Sequence, residues 1–203
     1  MNIYLVRHGA DEEGYRGGWS RRGLTEEGIA QSRRLGDYLR DHAETYGIRT
    51  LIASDLPRAA QTAAEVGRVL GLTAVYSDEW REMNNGDLAG MPNPEAEAKY
   101  PGLYFNTLGM DDPYPGGETP AHFQNRTLAA FGELCGRIEN GETEADVLLV
   151  THGGVINILY HTLMGREWTN RATFYPIDQT ATHTVTKTDE GWEITEENVL
   201  PHK

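Results

Sequence analysis

A layered α/β domain is the fold class this sequence predicts, and three observations carry that reading. Short apolar runs of strand length alternate with longer segments of helical periodicity through most of the chain. Two of these runs end alike, in a histidine followed by a glycine. The last stretch reads instead as two β-branched segments about a glycine turn, an antiparallel pair that makes the sheet mixed.

Taken in order, residues 2–6 form a buried strand running into Arg7-His8-Gly9, and a polar, glycine-rich loop follows to Gly23. Thr25 suits the N-cap of a helix whose apolar positions Ile29, Leu35 and Leu39 recur at helical spacing, ending before Gly47. A second strand over 49–53 leads to Ser54-Asp55-Leu56-Pro57-Arg58. Pro57 fits a first helical turn, where its missing N–H is not needed, and the alanine-rich segment to about Leu70 has good helix propensity. Residues 73–76 give a third strand. From Gly86 to Pro120, prolines and glycines interrupt any long element, which predicts an excursion over the body of the domain with one short helix at 95–99. A long helix over 119–138, a strand over 147–150 and a helix from Thr151-His152-Gly153-Gly154 through Met164 come next. Residues 180–188 and 192–195 form the closing hairpin around Gly191.

The 203 residues are enough for one domain, 1–203, carrying a small cap or insertion at 87–120. A hydrophobic share of 38% is that of a folding chain. With 18 basic and 31 acidic residues the formal charge is −13, a surface that repels nucleic acid and anionic membrane. The longest apolar windows are strand-sized, too short to span a bilayer as a helix. The opening MNIYLVRHG puts charge where an export signal needs an apolar core, and Cys135 is a lone cysteine with no internal partner, so a cytoplasmic location is expected.

The paired strand–histidine–glycine arrangements are the chemical signal. In an open parallel sheet, ligands bind in the crevice beyond the carboxyl ends of the strands, so His8 and His152 open into one crevice if their strands are neighbours. A lone histidine at a strand end is often a capping residue; two matched placements, each backed by a glycine that lets a ligand approach the backbone, argue for function. Arg58, at a helix start, is mildly unfavourable to the helix dipole unless an anion offsets it, although a surface partner is the plainer alternative. Arg7 and Arg58 could each give a phosphate paired hydrogen bonds. Glu82 is a candidate to protonate a leaving oxygen, though a glutamate is a common residue in so acidic a chain. Together these residues suit phosphoryl transfer, with His8 as nucleophile and Arg7, Arg58 and His152 stabilising charge on the equatorial oxygens.

At this point the sequence resembles the histidine phosphatase superfamily, the branch of cofactor-dependent phosphoglycerate mutases and bacterial broad-specificity and α-ribazole phosphatases. The resemblance rests on Leu5-Val6-Arg7-His8-Gly9, Leu24-Thr25 with Gly28, and Ala53-Ser54-Asp55-Leu56-Pro57-Arg58-Ala59. It continues in Arg81-Glu82 with Gly86 and Gly90, Pro115-Gly116-Gly117-Glu118-Thr119, and Val150-Thr151-His152-Gly153-Gly154. It implies a three-layer α/β/α sandwich with a mostly parallel mixed sheet, no metal or other cofactor, and Glu82 as proton donor. The short excursion after Gly90 is more like the phosphatases than the mutases. Ala10-Asp11 stand where the family often has Glu-Thr or Gln-Ser, and Gly14 where relatives carry a phosphate-contacting asparagine. Either Arg16, a backbone N–H or a shifted loop replaces that contact, or phosphate binding is weaker. Asn157 stands where many relatives carry arginine or another residue.

The expected activity is metal-independent hydrolysis of a phosphomonoester through a phosphohistidine. Mutase-type transfer and a catalytically silent binding module of the same fold are the alternatives. Arg16, Arg21, Arg22 and Arg81 are expected to add positive charge around the mouth, or, for Arg21 and Arg22, to be solvated loop charges. Gly153 is a further candidate contact. Tyr100, Tyr104, Phe105 and Tyr114 form either an apolar wall for the organic part of the substrate or the small core that holds the cap down. A small phosphorylated metabolite is the expected partner, with no nucleic acid and no membrane, and a homodimer is left open. Attack by a neutral His8 with Glu82 protonated implies a rate optimum on the acidic side of neutral.

Overall fold

The computed structural model describes residues 1–144, 146–200 and 202. Its centre is a six-stranded sheet in the order β3-β2-β4-β1-β5-β6. Strands β1 (Asn2–Arg7), β2 (Thr50–Ser54), β3 (Val75–Ser77) and β4 (Val147–Thr151) run parallel, while β5 (Thr182–Lys187) and β6 (Trp192–Val199) add the antiparallel hairpin to the β1 side. The central strands are apolar throughout because both faces are covered.

Alternate residues of each strand feed two separate cores. Tyr4, Val6, Leu51, Ala53, Leu148 and Val150 pack against α1 (Glu26–Asp41) and α3 (Pro57–Leu70) through Leu35, Leu39, Ala59, Ala63 and Val66. Ile3, Leu5, Ile52, Val147 and Leu149 face the other way, onto α5 (Pro120–Glu139) and α6 (Gly153–Leu163) through Phe123, Phe131, Leu134, Val155 and Ile156. Helix, sheet and helix make the three-layer α/β/α sandwich that the resemblance implies. A four-residue helix, α2 (Ala43–Tyr46), follows α1 and ends at left-handed Gly47. Thr25 caps α1 by accepting from the Gly28 N–H at 3.1 Å, and Thr119 caps α5 by accepting from the His122 N–H at 3.0 Å.

Three strands differ from expectation, among them β5, which starts at Thr182 and not at 180. Strand β3 lies two residues later at its start, and as an edge strand it leaves Val75 and Tyr76 exposed. Strand β6 runs on to Val199, past the predicted end at 195. Glutamates are poor strand formers in isolation, but here they line a solvated edge, where charge discourages pairing with another chain. The excursion contains α4 (Asn93–Lys99) and short 3₁₀ turns at Gly86–Leu88 and Phe105–Thr107. It is pinned to the loop after β1 by backbone bonds Arg16 N–H to Met91 O, Gly90 N–H to Arg16 O and Asn93 N–H to Gly14 O. Among the described residues, no helix is long and apolar enough to cross a membrane.

Buried His183 links this architecture to pH. Its Nδ1 lies 2.6 Å from the Tyr160 hydroxyl, and burial lowers its pKa to about 4, with Asp178 opposing weakly. The unfolded chain then holds a proton at this site that the folded chain does not. The contribution is complete above pH 6.5 and is lost as pH falls towards the folded value, by about 3 kcal/mol in all. Urea titrations between pH 7 and pH 4 should give a shallower loss of stability in His183→Gln than in the parent. Equal slopes would rule out this source of acid sensitivity.

Candidate active site

Pairing of β1 with β4 sets Arg7 opposite Thr151, so the next residue of each strand is a histidine. The His8 N–H donates to the Thr151 carbonyl at 3.0 Å, and the His8 and His152 ring centroids lie 5.2 Å apart, tilted by 58°. Both rings are buried. On the far side of β4, β2 ends in Ser54, whose Oγ is 2.8 Å from His152 Nε2. Helix α3 starts directly after β2 and delivers Arg58, which is buried rather than surface-paired.

The hydrogen bonds define the state of His8. Its Nδ1 lies 2.8 Å from the Gly9 carbonyl, which can only accept, so Nδ1 carries the proton. Nε2 then has a free lone pair and accepts from Arg58 Nε–H at 3.1 Å. Burial holds the His8 pKa well below the usual imidazole value, the Arg58 charge adds to this, and the Gly9 bond opposes it. Burial and then Arg58 likewise hold His152 neutral. Arg58 also donates to the Gly18 carbonyl at 2.8 Å and lies 3.8 Å from Asp11. Arg7 donates to the Ile177 carbonyl at 2.8 Å. Arg7 Nε and His152 Nδ1 are buried and unpartnered among the described residues.

Close backbone approach explains several of the glycines. A Cβ on Gly9 would stand 2.5 Å from the Gly28 carbonyl oxygen, and one on Gly28 would stand 2.1 Å from the Ala10 carbonyl oxygen. The loop carrying His8 therefore lies directly on α1. Gly154, in the first turn of α6, donates its N–H to Glu82 Oε2 at 3.0 Å, and a Cβ there would be 2.2 Å from Glu82 Oε1. The Met83 N–H holds the other carboxylate oxygen at 3.0 Å.

Arg7, His8, Arg16, Glu82 and Gly153 line one cleft of about 870 Å³. Arg16 stacks on the Tyr104 ring at 4.3 Å and lies 3.7 Å from Glu97. Of the alternatives named for the Gly14 position, Arg16 lines the cleft, and so does the loop backbone at Gly17 and Gly18; Gly14 itself is a turn at φ 86°. Arg21 and Arg81 are not in the lining. Arg21 is exposed in a separate depression with Trp19 and Gly90. Arg81 has extended backbone, which sends it and Glu82 to opposite sides; it forks onto Asp55, at 2.6 Å from Oδ1, and stacks on Trp19. Arg22 pairs with Glu12 over the Tyr15 ring.

Tyr104, Phe105 and Tyr114 line the cleft, and Tyr100 packs on the core beneath with its hydroxyl on Asp87, so these aromatics divide between wall and core. More of the lining comes from residues that sequence reasoning passed over, Trp168, Asn170, Arg171 and Phe174. Asn170 and Arg171 donate to the Phe105, Asn106 and Leu108 carbonyls and so stitch this segment to the excursion. The one available signal was aromatic and basic residues crowded between α6 and β5.

The family model described as histidine phosphatase superfamily, branch 1, matches residues 3–200. The chain is 26% identical to the uncharacterized phosphatase PhoE of Bacillus subtilis (strain 168), over 98% of this chain and 95% of that protein. It is 31% identical to a 2,3-bisphosphoglycerate-dependent phosphoglycerate mutase of Methylobacterium radiotolerans, over 80% of this chain and 79% of that one. In fold it is similar to the α-ribazole phosphatase of Shigella flexneri, with a TM-score of 0.81 at 22% identity over 98% and 96% of the two chains.

The tautomer and charge of His8 can be read directly. Imidazole ¹⁵N–¹H correlation spectra should show a proton on Nδ1 and none on Nε2, with no protonation step near pH 6.5. An ordinary imidazole titration at that pH would contradict the geometry.

Proposed function

The chain belongs to branch 1 of the histidine phosphatase superfamily, and on that premise we propose that it hydrolyses phosphomonoesters of a small metabolite through a phosphohistidine on His8. The state of His8 carries this reading: a neutral ring, its lone pair on Nε2, beside a second buried imidazole and two arginines. A neutral imidazole nitrogen is a competent nucleophile towards phosphorus, and a protonated one is not.

Substrate phosphate competes with His8 for Arg58. Once the guanidinium turns its N–H groups to the phosphoryl oxygens, the His8 lone pair is free. Arg7 Nε and His152 Nδ1, both unpartnered and buried, supply further donors. Nε2 then attacks phosphorus in line with the ester oxygen. The N–P bond forms as the P–O bond breaks, and the departing alkoxide takes a proton from Glu82. The phosphorylated ring is cationic, its Nδ1–H resting on the Gly9 carbonyl. In the second step Glu82 takes a proton from water as its oxygen attacks phosphorus. The N–P bond breaks, orthophosphate leaves, and His8 is neutral again. The arginines supply the positive charge of the scheme; among the described residues no group of three or more His, Cys, Asp or Glu side chains could hold a metal ion.

We read residues 87–120 as a cap over this site. Its Tyr104, with Trp168 and the exposed Phe174 in the same lining, is suited to holding the organic part of the substrate. Arg16, held by Glu97 at only 3.7 Å, is free enough to meet a second anionic group, which keeps phosphoglycerate mutase chemistry as a second reading. Orthophosphate release from simple esters favours hydrolysis, and isomerisation of phosphoglycerate without net release favours the mutase.

His8→Ala should lower turnover at least ~10³-fold and abolish an acid-labile, alkali-stable phosphoenzyme captured by rapid quench. Parent-like turnover in this variant would remove His8 from the reaction. Arg58→Ala should depress kcat more strongly than it raises KM, because its bonds tighten as charge develops on the oxygens. A raised KM at unchanged kcat would reduce Arg58 to a ground-state contact.

A further inference from the structure

Glu82 sits between the 3₁₀ turns Asp78–Trp80 and Gly86–Leu88, outside any helix or strand. Its carboxylate is held by two backbone N–H groups, but that aim is only as good as the backbone beneath it. That backbone is gripped from α5. Arg126 donates from Nη1 to the Glu79 carbonyl at 3.0 Å and the Arg81 carbonyl at 2.8 Å, and from Nη2 to the Glu82 carbonyl at 2.8 Å. Its remaining N–H groups go to Glu118, Nε to Oε2 at 3.0 Å and Nη2 to Oε1 at 2.7 Å. All the guanidinium donors are thus used. Glu118 Oε1 also accepts from the Asn84 N–H at 2.8 Å, so the pair holds the chain on both sides of Glu82. Trp19 Nε1–H adds a bond to the Glu82 carbonyl at 2.7 Å.

We infer that Glu118 and Arg126 are positioning residues that aim Glu82 at the leaving oxygen; this rests on the role proposed for Glu82 above. Neither lines the cleft, so both act through Glu82 and not on the substrate. Burial pushes the Glu118 carboxyl up, but the Arg126 hydrogen bonds and charge, with the Asn84 N–H and His122, hold it below the usual range. These contacts favour the Glu118 anion, and with it the fork–fork geometry. A buried ion pair is a poor way to add stability, since desolvation consumes most of the attraction. Its rigid planar fork is a good way to fix three carbonyls at once.

The test uses leaving-group dependence. A general acid matters for a poor leaving group such as an alkoxide and little for an acidic phenol. In Arg126→Met, kcat should fall ~30- to 100-fold on glycerol phosphate and by less than about 3-fold on 4-nitrophenyl phosphate. Arg126 also contributes its charge to keeping His152 neutral. Arg126→Lys, which keeps the charge and loses the fork, should show the same selective loss. Arg126→Met combined with Glu118→Met leaves no unpaired buried carboxylate and serves if the single variant does not fold. Glu82→Gln is the reference and should discriminate between the two esters at least as strongly. Equal losses on both esters in the Arg126 variants, with Glu82→Gln still discriminating, overturn the positioning role. If Glu82→Gln itself fails to discriminate, the assignment of Glu82 falls, and the positioning role falls with it.

Discussion

Everything at the site depends on the register between β1 and β4. With Arg7 opposite Thr151, two strands that are far apart in sequence end level, and the residues that follow place two imidazole rings 5.2 Å apart. A slip of one residue would turn each strand's side chains to the opposite face and exchange one helical layer for the other. The alternation of Ile3 and Leu5 with Tyr4 and Val6 forbids that slip, because each set fills a different core. The packing of the sandwich and the spacing of the two rings are thus one constraint.

A second constraint is electrostatic. The chain carries a formal charge of −13, yet Arg7 and Arg16 line its cleft beside His8, and buried Arg58 lies behind it, bonded to the His8 ring. Burial and neighbouring cations act in the same direction on His8 and His152, and both favour the uncharged ring. In the proposed scheme, the cluster that would attract a phosphate is also the one that keeps both rings uncharged. Local desolvated charge outweighs the distant surface field, which water and salt screen.

Much of this was legible in the sequence, for reasons that differ between residues. His8 and His152 were readable because a strand end, a histidine and a glycine in succession is a local pattern, and the sheet converts it into proximity. Helices α1 and α3 were readable from a cap, Thr25, and a proline, Pro57, that act within one turn. Arg81 was expected to add charge at the mouth, but it diverges from Glu82 on extended backbone, and Asp55 claims it. The wall from Trp168 to Phe174 carries no periodicity, and its place depends on side-chain bonds to carbonyls more than 60 residues away. Arg126 is similar: on a helix it looks like a solvated cation, and only the fold shows the carbonyls it collects.

The bond from Arg58 to His8 Nε2 has a consequence for the resting protein. In the scheme proposed above, the lone pair that would attack phosphorus is bonded to a guanidinium in the resting protein, and is freed when that group turns to a better-matched acceptor. Tetrahedral oxyanions are such acceptors; alkylating agents, aldehydes and stray transition-metal ions are not. On that scheme the guanidinium that phosphate would draw aside also covers the imidazole nitrogen until a substrate arrives.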